Sequence, residues 1–175
     1  MKKVLAASLV LAMAATSFGS VVFTLQNDLP IQEFVPVVFT VSVENSTPFN
    51  AMDLVVGSDS DLSMAFEYSA AFKAAMPNTI PAMEAGVYAS DLYMYGSNTT
   101  NGSSLSLVVG TLTIAGLPEG TYGIKVDSDY DGLFSSLSFG ANQSPLFGSA
   151  SFNVVPEPAS ALLLLAGLPL LRRRK

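Results

Sequence analysis

Short runs of alternating apolar and polar side chains dominate the middle of the chain. The clearest run covers residues 37–43, where the apolar members occupy every second position: Val37, Phe39, Val41 and Val43. The same spacing recurs over residues 122–126 and again at Phe152 and Val154. Because successive side chains of a strand point to opposite faces, this period of two predicts strands with one buried face.

Segments rich in Gly, Pro, Asn, Asp and Ser separate these runs and predict turns. They cover residues 45–48, 58–61, 96–104, 116–120, 127–132 and 140–145. Several short strands at this spacing are typical of a sandwich of two sheets. The sequence therefore predicts an all-β domain, an antiparallel β-sandwich of the Greek-key type.

Two of the strand-forming segments carry a local irregularity. In residues 105–114 the apolar positions are odd up to Val109 and even from Leu112. This change of phase at Gly110 predicts a β-bulge or bend, and a strand buried on both faces is the alternative. Residues 117–122, which end in Tyr122, fit either a tyrosine corner of a Greek-key sandwich or an ordinary turn with a core tyrosine.

One segment of the domain favours a helix over a strand. Residues 68–76 contain four alanines, and Pro77 and Asn78 follow them directly. Alanine has the highest helix propensity, and a proline just beyond the last turn stops a helix. We therefore predict a single short helix within an otherwise β domain.

The first 19 residues have the three-part pattern of a secretory signal peptide. Two lysines precede an apolar run over residues 4–15, and small residues follow that run. We expect cleavage after Gly19 or Ser20, because the first strand pattern begins at Val21. A buried helix or an uncleaved anchor is the alternative, but the run is short for a span of about 20 residues.

The last 21 residues, 155–175, combine a proline-rich break, an apolar run over residues 159–171 and a cationic end. As a helix, the 13 apolar residues would extend about 20 Å, against the roughly 30 Å of a hydrocarbon core. The cationic end is expected to stay in the cytoplasm, so that the domain faces outward. The pattern predicts a short C-terminal hydrophobic helix that contacts the membrane transiently.

In order, spacing and position at the chain end, this tail resembles the PEP-CTERM sorting signal. The residues that carry the resemblance are Val155, Pro156, Glu157, Pro158, Arg172, Arg173 and Arg174. In that family an exosortase, an integral-membrane enzyme of Gram-negative bacteria that also make exopolysaccharide, recognises the tail. The resemblance implies export by the general secretion machinery, cleavage near the Pro-Glu-Pro element, and delivery to the cell envelope, surface or extracellular matrix. The predicted organisation is a signal peptide (1–19), a β-sandwich domain (20–154) and a sorting tail (155–175).

Composition limits the chemistry of the domain between the two ends. Residues 20–154 hold two basic side chains against 13 acidic ones, a net charge near −11. Such a surface repels nucleic acid and anionic lipid and attracts cations, so we expect no nucleic-acid partner. The chain contains no Cys and no His, which excludes disulfides, Ser-His-Asp and Cys-His catalysis, and the usual ligands of zinc and copper.

Residues 39–62 carry a second resemblance. A strand pattern at 39–43 precedes a polar segment, a second apolar run over 51–56, and then Asp59 and Asp61. In this hydrophobic pattern the segment is similar to the cohesin-like sandwiches of extracellular bacterial proteins. The resemblance implies a cohesin-like fold, in a class whose domains bind a dockerin partner or build surface scaffolds. It assigns no binding residues.

Three alternating carboxylates before a glycine match the start of a calcium loop: Asp127, Asp129 and Asp131. An EF-hand is not expected, because position 12 of the loop is Ser138 instead of Glu and the flanking segments have strand patterns. A looser calcium site and an acidic hairpin turn remain as alternatives. The same two alternatives apply to Asp59 and Asp61. No other cofactor is indicated.

Two functional interpretations follow from the sequence. The first is a non-enzymatic surface or matrix protein without catalytic residues, since no carboxylate spacing singles out the pair that glycoside hydrolysis needs. The alternative is a module, calcium-stabilised or not, that binds exopolysaccharide or a surface protein. Three tyrosines would stack on sugars if they face solvent, although core packing explains them as well: Tyr88, Tyr93 and Tyr95.

Overall fold

The computed structural model describes residues 19–84, 91–98, 104–126, 135–139 and 142–157. Within these ranges the chain forms twelve strands and one helix, so the all-β prediction is confirmed. In chain order the elements are β1 (Gly19–Leu25), β2 (Ile31–Gln32), β3 (Val37–Phe49), β4 (Ala51–Gly57), β5 (Met64–Tyr68), α1 (Ala70–Ala75), β6 (Asn78–Glu84), β7 (Leu92–Ser97), β8 (Ser104–Ile114), β9 (Gly120–Val126), β10 (Ser136–Phe139), β11 (Asn142–Phe147) and β12 (Ser149–Val155).

The strands form two layers. The first layer has the order β1-β3-β8-β5 and is antiparallel throughout. In the second layer β7 lies between β6 and β4, and the other edge of β4 is shared by β10 and β9. From β9 the layer continues to β12 and β2, while β11 pairs with both β10 and β1 and so joins the two layers.

The expectation of an antiparallel sandwich is confirmed for most strand pairs but not for two of them. The pairs β1–β11 and β2–β12 are parallel. Both bring an N-terminal strand beside a C-terminal one that runs in the same direction. The sequence pattern could not predict this, because the period of two gives the buried face of a strand but not the direction of its neighbour.

Burial follows the predicted alternation, and the two layers share one core. The four apolar residues singled out in β3 are buried, whereas the residues between them are half-buried. The ring of Phe39, in the first layer, meets that of Phe152, in the second layer, edge to face with centroids 5.6 Å apart. Such aromatic pairs contribute beyond their buried area, so this contact helps to hold the layers together.

The predicted change of phase in β8 is confirmed as a β-bulge. Val41 of β3 pairs with Gly110, but the next residue of β3 pairs with Val108, which leaves Val109 as the extra residue. A Cβ atom at position 110 would collide with the backbone carbonyl of Glu67 on β5. Gly110 therefore permits the close approach of β5 and β8, in addition to standing beside the bulge.

Four predicted turn segments are wrong in part. Residues 45–48 lie inside β3, where the register with β8 shifts between Glu44 and Phe49. The end of the 140–145 segment also belongs to a strand, since Pro145 of β11 pairs with Ser136 of β10. Polar composition resembles that of a turn in both places, but cross-strand pairing decides the local structure. The 96–104 segment likewise begins in β7 and ends in β8, and Gly120 of the 116–120 segment belongs to β9. The segment at 58–61 contains no strand, as predicted.

The helix prediction is confirmed with shorter bounds. Tyr68 belongs to β5, and Ser69 caps α1 by accepting the backbone N–H of Phe72 on its Oγ at 2.9 Å. A serine in this position satisfies one of the backbone donors that the first helical turn leaves unpaired. The capping signal fixes the start of the helix two residues later than the alanine pattern suggested.

The tyrosine corner is also present. The hydroxyl of Tyr122 donates to the carbonyl oxygen of Pro118, four residues upstream, at 3.1 Å. This bond distinguishes a tyrosine corner from an ordinary turn. The Tyr122 ring also stacks on Phe152 with centroids 5.8 Å apart, so it contributes to the core as the alternative interpretation expected.

The start of β1 coincides with the predicted end of the signal peptide. Gly19 pairs with Leu146 and Ser20 with Phe147, so both expected cleavage points lie within the first two residues of a paired strand. The predicted signal helix and the apolar run at 159–171 lie outside the described residues. In the part of the chain that the structure describes, no helix has the length and apolar character needed to cross a bilayer.

Candidate functional site: a tyrosine-bearing sheet face

The outer face of the second layer carries the two tyrosines that the sequence singled out and that the structure describes. A row of directly opposed residues crosses five strands there: Ile80, Tyr95, Asp53, Ser136 and Pro145. Tyr93 lies on the same face, opposite Val55. Both tyrosines are half-buried, so part of each ring reaches solvent. We call this surface the tyrosine face and define it by its half-buried residues Asp53, Ile80, Tyr93 and Tyr95, since Val55 itself is buried.

A short hydrogen bond connects two members of the tyrosine face. The Tyr93 hydroxyl donates to Oδ1 of Asp53 at 2.6 Å. Partial burial, and then this bond to a carboxylate, raise the pKa of Tyr93 well above its ordinary value. Tyr93 therefore remains a neutral donor at physiological pH, and the bond holds its ring in one orientation.

A buried tyrosine from the first layer positions Tyr95. The Tyr68 hydroxyl accepts the backbone N–H of Tyr95 at 2.9 Å and donates to the backbone carbonyl of the same residue at 3.2 Å. Burial raises the pKa of Tyr68, although the backbone hydrogen bond opposes this effect. The ring of Tyr68 stacks on Phe72 of α1 with centroids 5.2 Å apart. The single helix thus supports β7 from the core side.

Along the edge that faces away from β7, β4 pairs first with β10 and then with β9. β10 pairs with Ala51 to Asp53, and β9 pairs only from Val56 onward. Between these two pairings, the backbone N–H of Val55 donates to the Oγ of Ser135 at 2.9 Å. The buried Ser135 therefore satisfies a backbone N–H that neither β9 nor β10 reaches. The tyrosine face stays continuous where β4 passes from one of these strands to the other.

The outer face of the first layer differs in composition. Thr24, Thr40 and Thr111 stand opposite one another across β1, β3 and β8. In the next row, Ser42 lies between Val22 and Val108, which are both partly exposed. We call this surface the threonine face and define it by these six residues. It presents hydroxyl and small aliphatic groups and no aromatic ring.

The sorting-motif residues fall at the boundary of the described chain. Val155 is the last residue of β12 and pairs with Gln32 of β2, whereas Pro156 and Glu157 are exposed. Pro158, Arg172, Arg173 and Arg174 lie outside the described residues. The part of the motif that the structure does describe is thus accessible directly beyond the folded domain.

The predicted calcium ligands Asp127, Asp129 and Asp131 lie outside the described residues, as does Tyr88. These three aspartates lie between β9 and β10 in sequence, so strands precede and follow them, as expected. Elsewhere, the described ranges contain no cluster of three or more His, Cys, Asp or Glu side chains that could hold a metal. Asp59 forms an ion pair with Lys125, whose Nζ lies 2.6 Å from Oδ1 of the carboxylate. This contact favours the turn interpretation of the segment at Asp59 and Asp61.

Two of the open hollows on the described surface each contain one carboxylate. The first is formed by β9, β12 and the loop at Asp59, beside Lys125. The second lies between β5 and β8 at Glu67. Acid–base hydrolysis of a glycoside uses two carboxyl groups across a cleft, and neither hollow brings two together.

Sequence reasoning identified Tyr93 and Tyr95 but missed Asp53 and Tyr68. A signal for Asp53 was available, because it is the only charged residue in the apolar run at 51–56. A carboxylate inside such a strand must face outward or find a donor, and here it does both. No comparable signal existed for Tyr68, whose partner, Tyr95, is 27 residues away in sequence.

No protein-family model and no curated protein sequence matches this chain. The fold, however, is similar to that of solved cohesin modules. One is a cohesin module from a family 33 glycoside hydrolase of Clostridium perfringens, with a TM-score of 0.58 at 8% identity, covering 81% of this chain and 100% of that module. A type II cohesin domain from the cellulosome of Acetivibrio cellulolyticus matches with a TM-score of 0.57 at 13% identity, covering 79% and 95%.

A third similar structure is a type I cohesin–dockerin complex from Clostridium thermocellum, in which the matched chain gives a TM-score of 0.54 at 12% identity. It covers 78% of this chain and 99% of that one. At these identities the similarity establishes the fold alone. The domain has a cohesin-like fold, which confirms the fold that the sequence resemblance implied.

Proposed function

We propose that this chain is a non-enzymatic binding module, exported to the cell envelope or extracellular matrix, whose tyrosine face contacts a partner protein. The observation that carries the proposal is the cohesin-like fold, which covers about four fifths of the chain. One of the similar structures is a complex of a cohesin with a dockerin, so the fold is compatible with binding a protein. Another is a cohesin domain from a cellulosome, which is consistent with export.

The chemistry of the tyrosine face supports a protein partner. Tyrosine is enriched at protein interfaces because it combines a large apolar ring with a polar hydroxyl. Here the Tyr93 ring is held by Asp53 and the backbone of Tyr95 by Tyr68. Side chains ordered before binding lose less conformational entropy on association, which favours affinity.

Carbohydrate is the second candidate ligand, because Tyr93 and Tyr95 do point outward from a sheet face as that hypothesis required. Aromatic rings on such a surface stack on the apolar faces of sugars. The tyrosine face is the same in both proposals, so they differ in the ligand and not in the site.

We further propose that residues 155–175 act as a PEP-CTERM-type signal that an exosortase recognises and cleaves. The exposure of Pro156 and Glu157 supports this role, because a processing enzyme needs an accessible, extended backbone. The N-terminal 19 residues would direct the chain to the general secretion machinery. Before cleavage, the tail would hold the domain at the inner membrane, and afterwards the domain would reach the surface or matrix.

Sorting is tested by replacing Pro156, Glu157 and Pro158 together with alanine in a host that makes exosortase. We expect the tagged variant to remain in the membrane fraction, while the unaltered chain is released or reaches the surface. Gly123→Ala, on exposed β9 backbone where an added Cβ meets no atom closer than 3.8 Å, is the matched control and should sort normally. Equal release of the triple variant and the control would refute the sorting proposal.

Binding is tested by the retention of the mature domain in isolated matrix. Tyr95→Ser should reduce retention at least about tenfold, since central aromatic residues of an interface commonly contribute 2 kcal/mol or more. Thr40→Ser on the threonine face is the control and should leave retention unchanged. Protease treatment of the matrix abolishes retention if the partner is a protein, whereas glycosidase treatment abolishes it if the ligand is exopolysaccharide. Equal retention of both variants would contradict the assignment of the face.

A further inference from the structure

Two large apolar side chains project from one end of the domain without covering the core. Leu29 is 75% exposed and Phe34 is 70% exposed, and the neighbouring Val35 is 43% exposed. Scattered single hydrophobic residues are ordinary on a protein surface, but three within seven residues form a local apolar tip. We call Leu29, Phe34 and Val35 the apolar tip.

The backbone holds Phe34 in an unfavourable conformation. Its φ angle is +59°, in the left-handed region that bulky residues rarely adopt. Its N–H donates to the carbonyl oxygen of Leu117 at 2.9 Å, and its own carbonyl lies so close to Gly116 that no side chain would fit there. Such strain costs on the order of 1 kcal/mol or more. The surrounding contacts maintain it even though the Phe34 ring is not buried.

The apolar tip lies where the C-terminal tail leaves the domain. β2, between Leu29 and Phe34, runs parallel to the last two residues of β12, with Ile31 opposite Val154 and Gln32 opposite Val155. The next residue, Glu33, donates its backbone N–H to the carbonyl oxygen of Val155 at 3.0 Å. The strand that leads into the tail is therefore flanked directly by the segment that carries the tip.

The connection between the domain and the apolar run of the tail is short. Only three residues, 156–158, separate the end of β12 from residue 159, where the apolar run begins. Four steps along a fully extended chain span at most about 14 Å. A domain tethered in this way to an inserted segment cannot move away from the bilayer surface, and its exit end must face that surface.

We propose that the apolar tip docks into the lipid headgroup region while the tail is inserted, and so fixes the orientation in which the Pro-Glu-Pro element is presented. This inference rests on the membrane-inserted state of the tail in the proposed function. Aromatic and aliphatic side chains that enter the interface to a depth of about 5–10 Å gain apolar burial there. The apolar tip thus orients the domain, while the apolar run of the tail, which is shorter than the hydrocarbon core, anchors it.

Negative charge near the apolar tip limits which lipid headgroups the tip can contact. Asp28, Glu33, Glu119 and Glu157 lie close to the tip in sequence or by contact, and the Glu33 carboxylate accepts the backbone N–H of Glu119 at 2.9 Å. These acidic groups are repelled by anionic headgroups. Docking is therefore driven by apolar contact and favours a zwitterionic surface over an anionic one.

The chain contains no tryptophan, so a single introduced tryptophan reports its own surroundings. Phe34→Trp and Leu29→Trp each place the probe on the apolar tip. Phe147→Trp is the matched control, because Phe147 is 48% exposed and precedes the opposite end of β12. That end lies roughly 20 Å from the exit point, at about 3.3 Å per strand residue. The full chain, with its tail, is inserted into phosphatidylcholine vesicles whose acyl chains are brominated.

We expect both tip probes to lose at least about half of their emission to the bromine atoms, since a ring at the headgroup–acyl boundary lies beside them. The Phe147→Trp probe should keep its emission, and added phosphatidylglycerol should reduce the quenching of the tip probes. Equal quenching at positions 34 and 147 would overturn the proposal. The proposal would also be overturned if the tip probes were shielded from an aqueous quencher but were not quenched by the brominated lipid, because the probes would then be in contact with protein.

Flotation of the vesicles separates this proposal from the one on which it rests. A chain that floats with the vesicles but shows no quenching at the tip overturns the docking proposal alone. A chain that does not float has no inserted tail, which overturns docking and the membrane stage of sorting together. If docking is observed but the alanine variant of the Pro-Glu-Pro element is released normally, the sorting proposal fails while docking stands.

Discussion

The threonine face and the tyrosine face cover the same core but differ in how their side chains are held. In both layers alternate residues point inward, and Phe39 and Phe152 meet between them. On the threonine face the outward side chains are short. On the tyrosine face, Tyr93 is bound by Asp53 at 2.6 Å and the backbone of Tyr95 by Tyr68 at 2.9 Å.

This difference shows how one alternating pattern can serve two purposes. Short β-branched side chains stabilise a sheet at little cost, because they fit a pleated surface. A large ring that a hydrogen bond fixes, as Asp53 fixes that of Tyr93, presents an ordered surface that loses little entropy on binding. In this domain one outer face is suited to stability, and the other is the face that we propose for recognition.

The largest expected effect tests whether the two layers share one core. Phe39→Ala in the first layer and Leu54→Ala in the second should each lower the free energy of unfolding by about 2–5 kcal/mol, because both side chains are buried. Chemical denaturation followed by circular dichroism and by tyrosine fluorescence should give one coincident transition for each variant. Two separated transitions would mean that the layers unfold independently.

The next effect concerns the support beneath the tyrosine face. Tyr68→Phe removes both hydrogen bonds to Tyr95 and leaves a backbone N–H without that partner, at a cost of about 1–3 kcal/mol. Tyr122→Phe is the control, because it removes a single bond to Pro118 and should cost about 1 kcal/mol. Melting temperatures check the order. A smaller loss for Tyr68→Phe than for Tyr122→Phe would refute this role of Tyr68.

Calcium tests the loop between β9 and β10 in the second layer. If Asp127, Asp129 and Asp131 hold the ion, calcium at ten times its Kd should stabilise the domain by about 1.4 kcal/mol. The rise in melting temperature should disappear in Asp129→Asn and persist in Asp59→Asn. A melting temperature that does not respond to millimolar calcium would leave the acidic hairpin turn as the interpretation of this segment.

The smallest expected effect is a change in the pKa of Tyr93, which tests the electrostatics of the tyrosine face. Asp53→Asn should lower the pKa of Tyr93, though not to its ordinary value, because burial is the larger cause of the shift. A folded-state pKa above the unfolded value of about 10 adds stability below pH 10 that is lost as the pH rises. Alkaline titration of tyrosinate absorbance checks this, and an unchanged Tyr93 titration in Asp53→Asn would contradict the assignment.

The sequence predicted those parts of the fold that depend on local pattern. The inward residues of β3, the bulge beside Gly110 and the helix before Pro77 all follow from periodicity or propensity. The direction of β1 beside β11 was not predictable, because it depends on pairing between residues more than 100 positions apart. Residues 45–48 were misassigned as a turn for the same reason, since tertiary pairing keeps polar residues within β3.

The candidate site was predictable only in part. Tyr93 and Tyr95 were identified from spacing, but whether they face solvent depends on which side of β7 packs on the core. The bond from Tyr93 to Asp53 joins strands that are 40 residues apart in sequence. The apolar tip depends on where Phe34 lies relative to the end of β12, which no local pattern encodes.

The central claim is that the tyrosine face binds a partner protein, and site-specific photo-crosslinking tests it most directly. A photoreactive phenylalanine analogue replaces Tyr95 on the tyrosine face or, as the control, Thr40 on the threonine face, in cells that export the chain. We predict a discrete crosslinked protein band from position 95 and none from position 40. Crosslinking from position 40 alone, or from neither position in matrix that retains the chain, would contradict the account.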